Sequence, residues 1–323
     1  MADLQLSLLA VRRELLEPLI DGRVKPEGID LSITCADPNM AFWREGQFEE
    51  FDVSVASIST VIAEMRRGLD VVGLPVFPTR RFMHTELHYH VDSGIEEPAD
   101  LDGKRMGLNH YTMTTGIFIR GALQHDFGVP PERIEWHVLP DEGTNVRRGG
   151  TFVPPEGVVL RVVAAGKKIH AMLAAHEIDA TPLGAERGPG DRAKIKPLFP
   201  DRIAECGRFF REHGFMPATN MYTIRGEVYR KHPWIALNLY QAMLEAKRIV
   251  DDSMAARIPG GLLFGKEYAD QTKELLGGRD PFPYGVEANR MFVDTLAQWE
   301  LEQGFIAEVP TVEELFAPAT LSS

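Results

Sequence analysis

The sequence predicts an α/β protein of two lobes, the second inserted into the first. Three observations carry this. At 323 residues the chain is too long for one compact core. Its first third alternates strand-like and helix-like patterns, as a sheet flanked by helices does. The alternation restarts near Ala99, and a strand-like run at residues 221–224 then leads back to the first lobe. The expected division is lobe I at 1–94 together with 213–323, and lobe II at 95–212. Crossover strands near Leu87 and Met221 would join the lobes and place a ligand cleft at the carboxyl ends of both sheets.

The elements follow in order. Residues 4–10 alternate apolar and polar side chains and read as a strand; 12–21 form a short helix ending near Gly22. Residues 29–34 are a second strand and 40–46 a helix. A short buried strand at 51–55, a helix at 59–67 and a strand at 71–77 complete a set that implies a parallel sheet. In the second lobe, 100–108 give a turn and a strand, and 112–127 a helix closed by Gly128. Residues 134–138 form a strand, and 141–157, rich in Gly, Arg and Pro, a long loop. A helix at 167–176 and a strand at 178–181 follow. Long helices at 233–253 and 286–303 finish the chain.

Composition narrows the partners. A net charge of −12 argues against nucleic acid and anionic membranes, which need a positive surface. An anionic small substrate remains compatible, because a local arginine cluster can dominate its own surroundings. Cys35 and Cys206 are far apart and lack a CxxC spacing, so neither a disulfide nor a thiolate metal site is indicated; each reads as a small buried residue. Met1-Ala2-Asp3 leads directly into an alternating strand pattern, not into a basic and then apolar leader. No apolar run approaches the roughly 20 residues that span a bilayer. A soluble, cytoplasmic protein is expected; its oligomeric state stays open.

The densest chemistry lies at 75–90, Pro-Val-Phe-Pro-Thr-Arg-Arg-Phe-Met-His-Thr-Glu-Leu-His-Tyr-His. Arg80 and Arg81 offer forked, permanently charged donors for carboxylates. His84, His88 and His90 offer proton transfer near neutral pH. Together they suggest a site that holds an acid and moves protons on it; a solvated loop and edge strand is the alternative. On an extended strand His84, Glu86, His88 and His90 would share one face, a candidate divalent-metal row if a further ligand came from elsewhere. Whether a metal is used stays open.

Helix starts supply unpaired N–H groups that suit anions. Ser57 and Ser59 stand at one such start. Thr112, Thr114 and Thr115 stand at another, after Asn109-His110-Tyr111. Ordinary capping also accounts for Ser and Thr there. Arg12 and Arg13 open the first helix, where positive charge is disfavoured by the helix dipole, which hints at an anion nearby. Gly149-Gly150 and Gly188-Pro189-Gly190 lack the phosphate-loop and dinucleotide spacings, so no nucleotide is implied. Nucleophile-elbow and zinc-protease motifs are absent.

An ordered series of short motifs resembles the 4,5-dihydroxyphthalate decarboxylase family. It comprises Ile20-Asp21-Gly22-Arg23-Val24 with Pro26-Glu27-Gly28, Phe51-Asp52-Val53-Ser54, and Pro75-Val76-Phe77-Pro78 with Arg80, Phe82 and His84. Tyr111, Thr114, Ile119-Arg120-Gly121, Glu177-Ile178-Asp179-Ala180, His232-Pro233-Trp234 and Pro283-Tyr284-Gly285 with Asn289 continue it. The resemblance implies a type II periplasmic-binding-protein-like fold and a decarboxylase acting on a hydroxylated aromatic carboxylate. A small anionic aromatic substrate is thus the expected partner, and no cofactor is expected. It further implies Arg80 as carboxylate clamp and His84 as proton donor. Taken with the helix starts and the arginine pair, the candidate substrate contacts are Arg12, Arg13, Ser57, Ser59, Arg81, His110, Tyr111, Thr114, Thr115, Asn220 and Tyr284. Two departures stand out. Where the family closes a Pro-Ile-Met-His-like segment with His, this chain reads Pro217-Ala218-Thr219-Asn220, and the segment 181–187 drifts from the pattern. A solute-binding or sensory protein without turnover is the alternative. A pyrimidine-synthase-like enzyme of the thiamin pathway is a more distant one.

Overall fold

The computed structural model describes residues 3–140, 152–182 and 193–323. The chain divides into two compact units, one of residues 1–80, 213–294 and 310–323, the other of 81–212 and 295–309. The first boundary thus falls after Arg80 rather than at 94/95. Strand β5 (Leu87–His90) is hydrogen-bonded into the second sheet and takes the segment before it along. Residues 295–309 also belong to the second unit, where Trp299 packs on Phe118 at 5.3 Å.

In unit 1, β1 (Leu4–Val11) lies parallel to β2 (Ile29–Ala36) over its whole length and parallel to β3 (Val53–Ser57). β11 (Asn220–Arg225) runs antiparallel between β3 and β4 (Val71–Leu74). The expected all-parallel sheet is therefore mixed: side-chain alternation marks a strand but carries no sign of its direction. β3 is buried along nearly its whole length, as a strand covered on both faces is. Helix α8 (Ile235–Gly261) presents Ile235, Leu239, Met243 and Ala246 to this core at helical spacing. Burying each large aliphatic side chain contributes about 1.5–3 kcal/mol. α2 (Pro38–Phe48), α3 (Ile58–Met65), α7 (Gly226–Lys231), α9 (Gly265–Leu275) and the four-residue α1 (Glu17–Ile20) and α11 (Val312–Leu315) complete the unit.

The sheet of unit 2 has the order β10-β5-β9-β6-β7-β8. β6 (Arg105–Leu108), β7 (Glu135–Val138) and β8 (Val159–Val162) are parallel, and β9 (Ala180–Pro182) is parallel to β6. β5 and β10 (Ile195–Pro197) pair antiparallel. α5 (Ile169–Ala174), α6 (Arg202–His213) and most of α10 (Arg290–Glu302) accompany it. α4 (Thr114–Phe127) is buried without a break from Thr114 to Leu123, and Gly128 ends it in the left-handed conformation at φ 70°. Gly121 is required inside that helix, since a Cβ there would lie 2.1 Å from the Trp299 ring.

Glu300 on α10 is fully buried, and neither carboxyl oxygen has a hydrogen-bond partner. Burial pushes its carboxyl well above the usual range. The folded unit keeps this proton while the unfolded chain releases it near pH 4.3, so stability falls as pH rises above about that value. Glu300→Gln is expected to match the parent near pH 4 and to exceed it at pH 8. The gap between their urea-unfolding energies opens by up to about 1.4 kcal/mol per pH unit.

Several local readings change. Residues 12–21 are not one helix: a 3-10 turn at Glu14–Leu16 precedes α1, so Arg12 and Arg13 lie before it in extended chain. Residues Met83–Glu86 form a 3-10 turn, so His84 and Glu86 do not share a strand face with His88 and His90. Cys35 is exposed on edge strand β2, not buried. Residues 141–151 of the expected loop, and Gly188 to Gly190, lie outside the described residues. Among the described residues no helix is long and apolar enough to cross a membrane.

Candidate functional site

At the carboxyl ends of β1, β3 and β4 in unit 1, the structure gathers Arg13, Ser57, Thr79 and Asn220. Arg13 Nε reaches Thr79 Oγ1 at 3.4 Å. Ser57 and Ser59 share a hydrogen bond of 3.3 Å, and Asn220 faces Ser57 across the β3–β11 pairing. Asn220 Oδ1 accepts from the Thr219 hydroxyl at 2.9 Å. Ser57 stands at the N-cap of α3 but makes no side-chain cap bond. Capping therefore does not account for Ser57. Arg12 departs from expectation: its guanidinium is held in two bonds by Glu17, at 2.7 and 2.9 Å, which explains the charge at this turn without an external anion.

Arg80 also departs. It is buried, its Nη1 donates to Met216 O at 2.8 Å, and its Nη2 donates to Pro283 O at 2.9 Å and to Asn289 Oδ1. Phe77 and Phe292 flank the guanidinium at 5.3 and 5.7 Å. Asn289 in turn donates to Pro283 O and Gly285 O. Arg80 is thus an internal pin that ties three segments of unit 1 together. Burial lowers its pKa to about 10. Tyr284 lies in the same interior with its hydroxyl unpartnered, packed into the unit 1 core rather than set out as a contact.

In unit 2 His84 is buried, with Nε2 2.8 Å from Glu205 Oε1 and its ring 4.8 Å from Phe209 and 5.5 Å from Phe199. Arg208 binds the same Glu205 and also Asp126 at 2.8 Å. Burial lowers the His84 pKa, and Glu205 opposes the shift. His84 is thus enclosed by two phenylalanines and paired with a carboxylate.

The first turn of α4 is different. Arg81, on the segment leading into β5, is partly exposed; its Nη2 donates to Thr115 Oγ1 at 3.1 Å and its Nε lies 3.4 Å from Glu86. Arg202 lies 3.8 Å from the same Glu86, so two cations face one carboxylate, whose pKa burial raises against their pull. Met113 at the N-cap of α4 offers no side-chain cap. Beneath this turn Arg120 is fully buried. Its Nη2 donates to Tyr111 O at 2.9 Å and its Nε to Gln303 Oε1 at 2.6 Å. Its Nη1 has no partner and would lie 3.0 Å from a Cβ at Gly116. Tyr111 covers the Arg120 guanidinium at 3.8 Å and stacks on Phe152, so Tyr111 is a wall and not an exposed contact.

Arg81, Arg120 and the α4 start together give a positive region suited to a carboxylate. Thr114 and Thr115 are buried at this turn, and half-buried His110 sits on the loop from the carboxyl end of β6. Sequence reasoning marked Arg120 only as part of a motif. Its signal was an arginine set among Ile117, Phe118, Ile119, Ala122 and Leu123. Arg202, Glu205 and Arg208 went unread.

Over its length the chain superposes on solved α/β proteins. The periplasmic sulfonate-binding protein SsuA from Methylobacillus flagellatus matches with a TM-score of 0.57 at 13% identity, over 100% of this chain and 94% of that one. The aliphatic sulphonate-binding protein SsuA from Escherichia coli gives 0.54 at 13% identity, over 98% and 92%. Residues 24–139 match the NMT1/THI5-like family model. The protein therefore has the type II periplasmic-binding-protein-like fold.

Two relatives narrow this. A 4,5-dihydroxyphthalate decarboxylase from Comamonas testosteroni is 28% identical, over 100% of this chain and 99% of its own length. One from Pseudomonas putida is 30% identical over 181 residues, 56% of this chain and 70% of that protein. The chain belongs to the 4,5-dihydroxyphthalate decarboxylase family.

Proposed function

We propose that this protein is a carboxy-lyase that removes one carboxylate from a hydroxylated aromatic acid of the 4,5-dihydroxyphthalate type. The observation that carries the reading is the full-length similarity to a relative of that name. In this reaction a ring hydroxyl para to one carboxylate loses its proton while the carbon bearing that carboxylate gains one. The ring becomes a dienone; the bond to the carboxylate then breaks, its electron pair returns to the ring, and carbon dioxide leaves. Such chemistry needs a held carboxylate, a proton source at carbon and little else.

In our reading the retained carboxylate binds at the start of α4, against Arg81, the Thr115 hydroxyl and the helix N–H groups, with Arg120 adding fixed charge below. Arg81 takes over the clamp expected of Arg80, because Arg80 is already bonded to its own chain. His110 takes over proton delivery from His84, which is enclosed.

Incubation with 4,5-dihydroxyphthalate is expected to release carbon dioxide and leave 3,4-dihydroxybenzoate, both measurable against a panel of hydroxybenzoates. Arg81→Ala is expected to raise KM at least about tenfold with the fold intact, as loss of a charged hydrogen bond does. Binding of the acid with no turnover would replace the reading by a solute-binding one. An unchanged KM would remove Arg81 from the site.

A further inference from the structure

Glu86 stands beside the α4 turn and has no part in the reaction so far. It is buried at the end of the 3-10 turn Met83–Glu86, its carboxylate 3.4 Å from Arg81 Nε and 3.8 Å from Arg202 Nη2. Neither is a hydrogen bond: Arg81 Nε is buried and without a hydrogen-bond partner. Each arginine is bonded instead to a hydroxyl, Arg81 Nη2 to Thr115 Oγ1 at 3.1 Å and Arg202 Nε to Thr85 Oγ1 at 3.0 Å. Arg120 Nη1, also buried and unpartnered, adds a second donor beneath the turn. Glu86 therefore sits as a loosely held anion at the guanidinium that a bound carboxylate must reach.

Little else offsets a second negative charge there. β9, packed against the same 3-10 turn, reads Ala180-Thr181-Pro182 and has no titratable group. The first turn of α4 brings Thr114 and Thr115. On α6, Glu205 is engaged by His84 and Arg208, and burial pushes the Cys206 thiol up, so it stays neutral. His88 Nδ1 donates to the Glu86 carbonyl at 2.7 Å, not to its carboxylate. Arg202 is exposed, so water screens its charge. Two carboxylates at one site do not both ionise freely; one is pushed toward its protonated form.

We propose that an aromatic acid binds at the α4 turn together with one proton, which Glu86 takes up, so that the ligand's carboxylate replaces that of Glu86 as the anion opposite Arg81. This exchange rests on the reading that the retained carboxylate binds at that turn. The proton comes from solvent and adds to a Glu86 carboxyl oxygen, and no other covalent bond changes. The neutral carboxyl can then donate a hydrogen bond to the bound carboxylate. Burial already holds the Glu86 carboxyl above its usual range, against the pull of Arg81 and Arg202, and a second anion raises it further. The bound form thus carries more protons than the free form, so affinity falls as pH rises, by up to about tenfold per pH unit.

Phthalate, which has both carboxylates and no ring hydroxyl to react, is the probe, titrated into the full chain by calorimetry from about pH 6 to about pH 8. In paired buffers of different ionisation enthalpy, net proton uptake is expected, and the Kd is expected to rise at least about tenfold across that range. The parent alone tests the uptake; Glu86→Gln assigns it. That variant, checked by its melting curve, is expected to lose the uptake and to bind at least about tenfold more tightly than the parent near pH 8. His110 can titrate in the same range but is present in both proteins, so the difference between them belongs to Glu86. Binding that needs Arg81 but takes up no proton, or equal uptake in Glu86→Gln, overturns the role of Glu86 and leaves the reading of the site standing. No binding, or binding that Arg81→Ala does not weaken, overturns both.

Discussion

Replacing His110 by Asn is expected to lower kcat by about 10²–10⁴ while leaving melting temperature and substrate affinity nearly unchanged. His110 is half-buried on the loop between β6 and α4, at the carboxyl end of a parallel strand. Open α/β sheets bind ligands at that edge. An imidazole there can hand a proton to a ring whose other carboxylate rests on the α4 turn. His84→Asn provides the contrast. It removes a ring held by Glu205 and packed on Phe199 and Phe209, so its expected effect is on stability, with kcat falling only as folded protein is lost. Stopped-flow turnover and thermal melts on both variants decide the assignment. A collapse of turnover in His84→Asn with melting unchanged would return the proton to His84.

The contrast shows which features a sequence displays. Period-two runs such as Leu4 to Ala10 exposed the strands, because alternate side chains of a half-buried strand must differ in polarity. The antiparallel sense of β11 left no such trace. Helices α6 and α9 escaped because few of their side chains are buried and their charged faces read as loop. The row His84, Glu86, His88, His90 failed because its first half folds into a 3-10 turn that alternation does not encode. At the candidate site the residue types were legible and their directions were not. Arg80 and Arg81 are adjacent in the chain, yet one turns inward to acceptors near residues 216 and 283–289 while the other stays partly exposed. Those acceptors are more than a hundred residues away, so only the fold reveals them.

Arg80→Met is accordingly expected to act on stability. Met216 O, Pro283 O and Asn289 Oδ1 would lose their donor inside unit 1, and each buried polar group left unpaired costs about 1–3 kcal/mol. Removing the cation offsets part of this, because the charge is buried beside aromatic rings and burial already lowers its pKa to about 10. The net loss expected in urea unfolding is about 3–5 kcal/mol, the range for breaking a buried charged contact. Arg80→Lys separates fork from charge. An ammonium keeps the charge but cannot span three acceptors held by a planar fork, so it is expected to lose most of the same stability. If both variants unfold at the parent's urea midpoint while aromatic-acid binding falls tenfold or more, Arg80 is a substrate clamp and the internal pin is wrong.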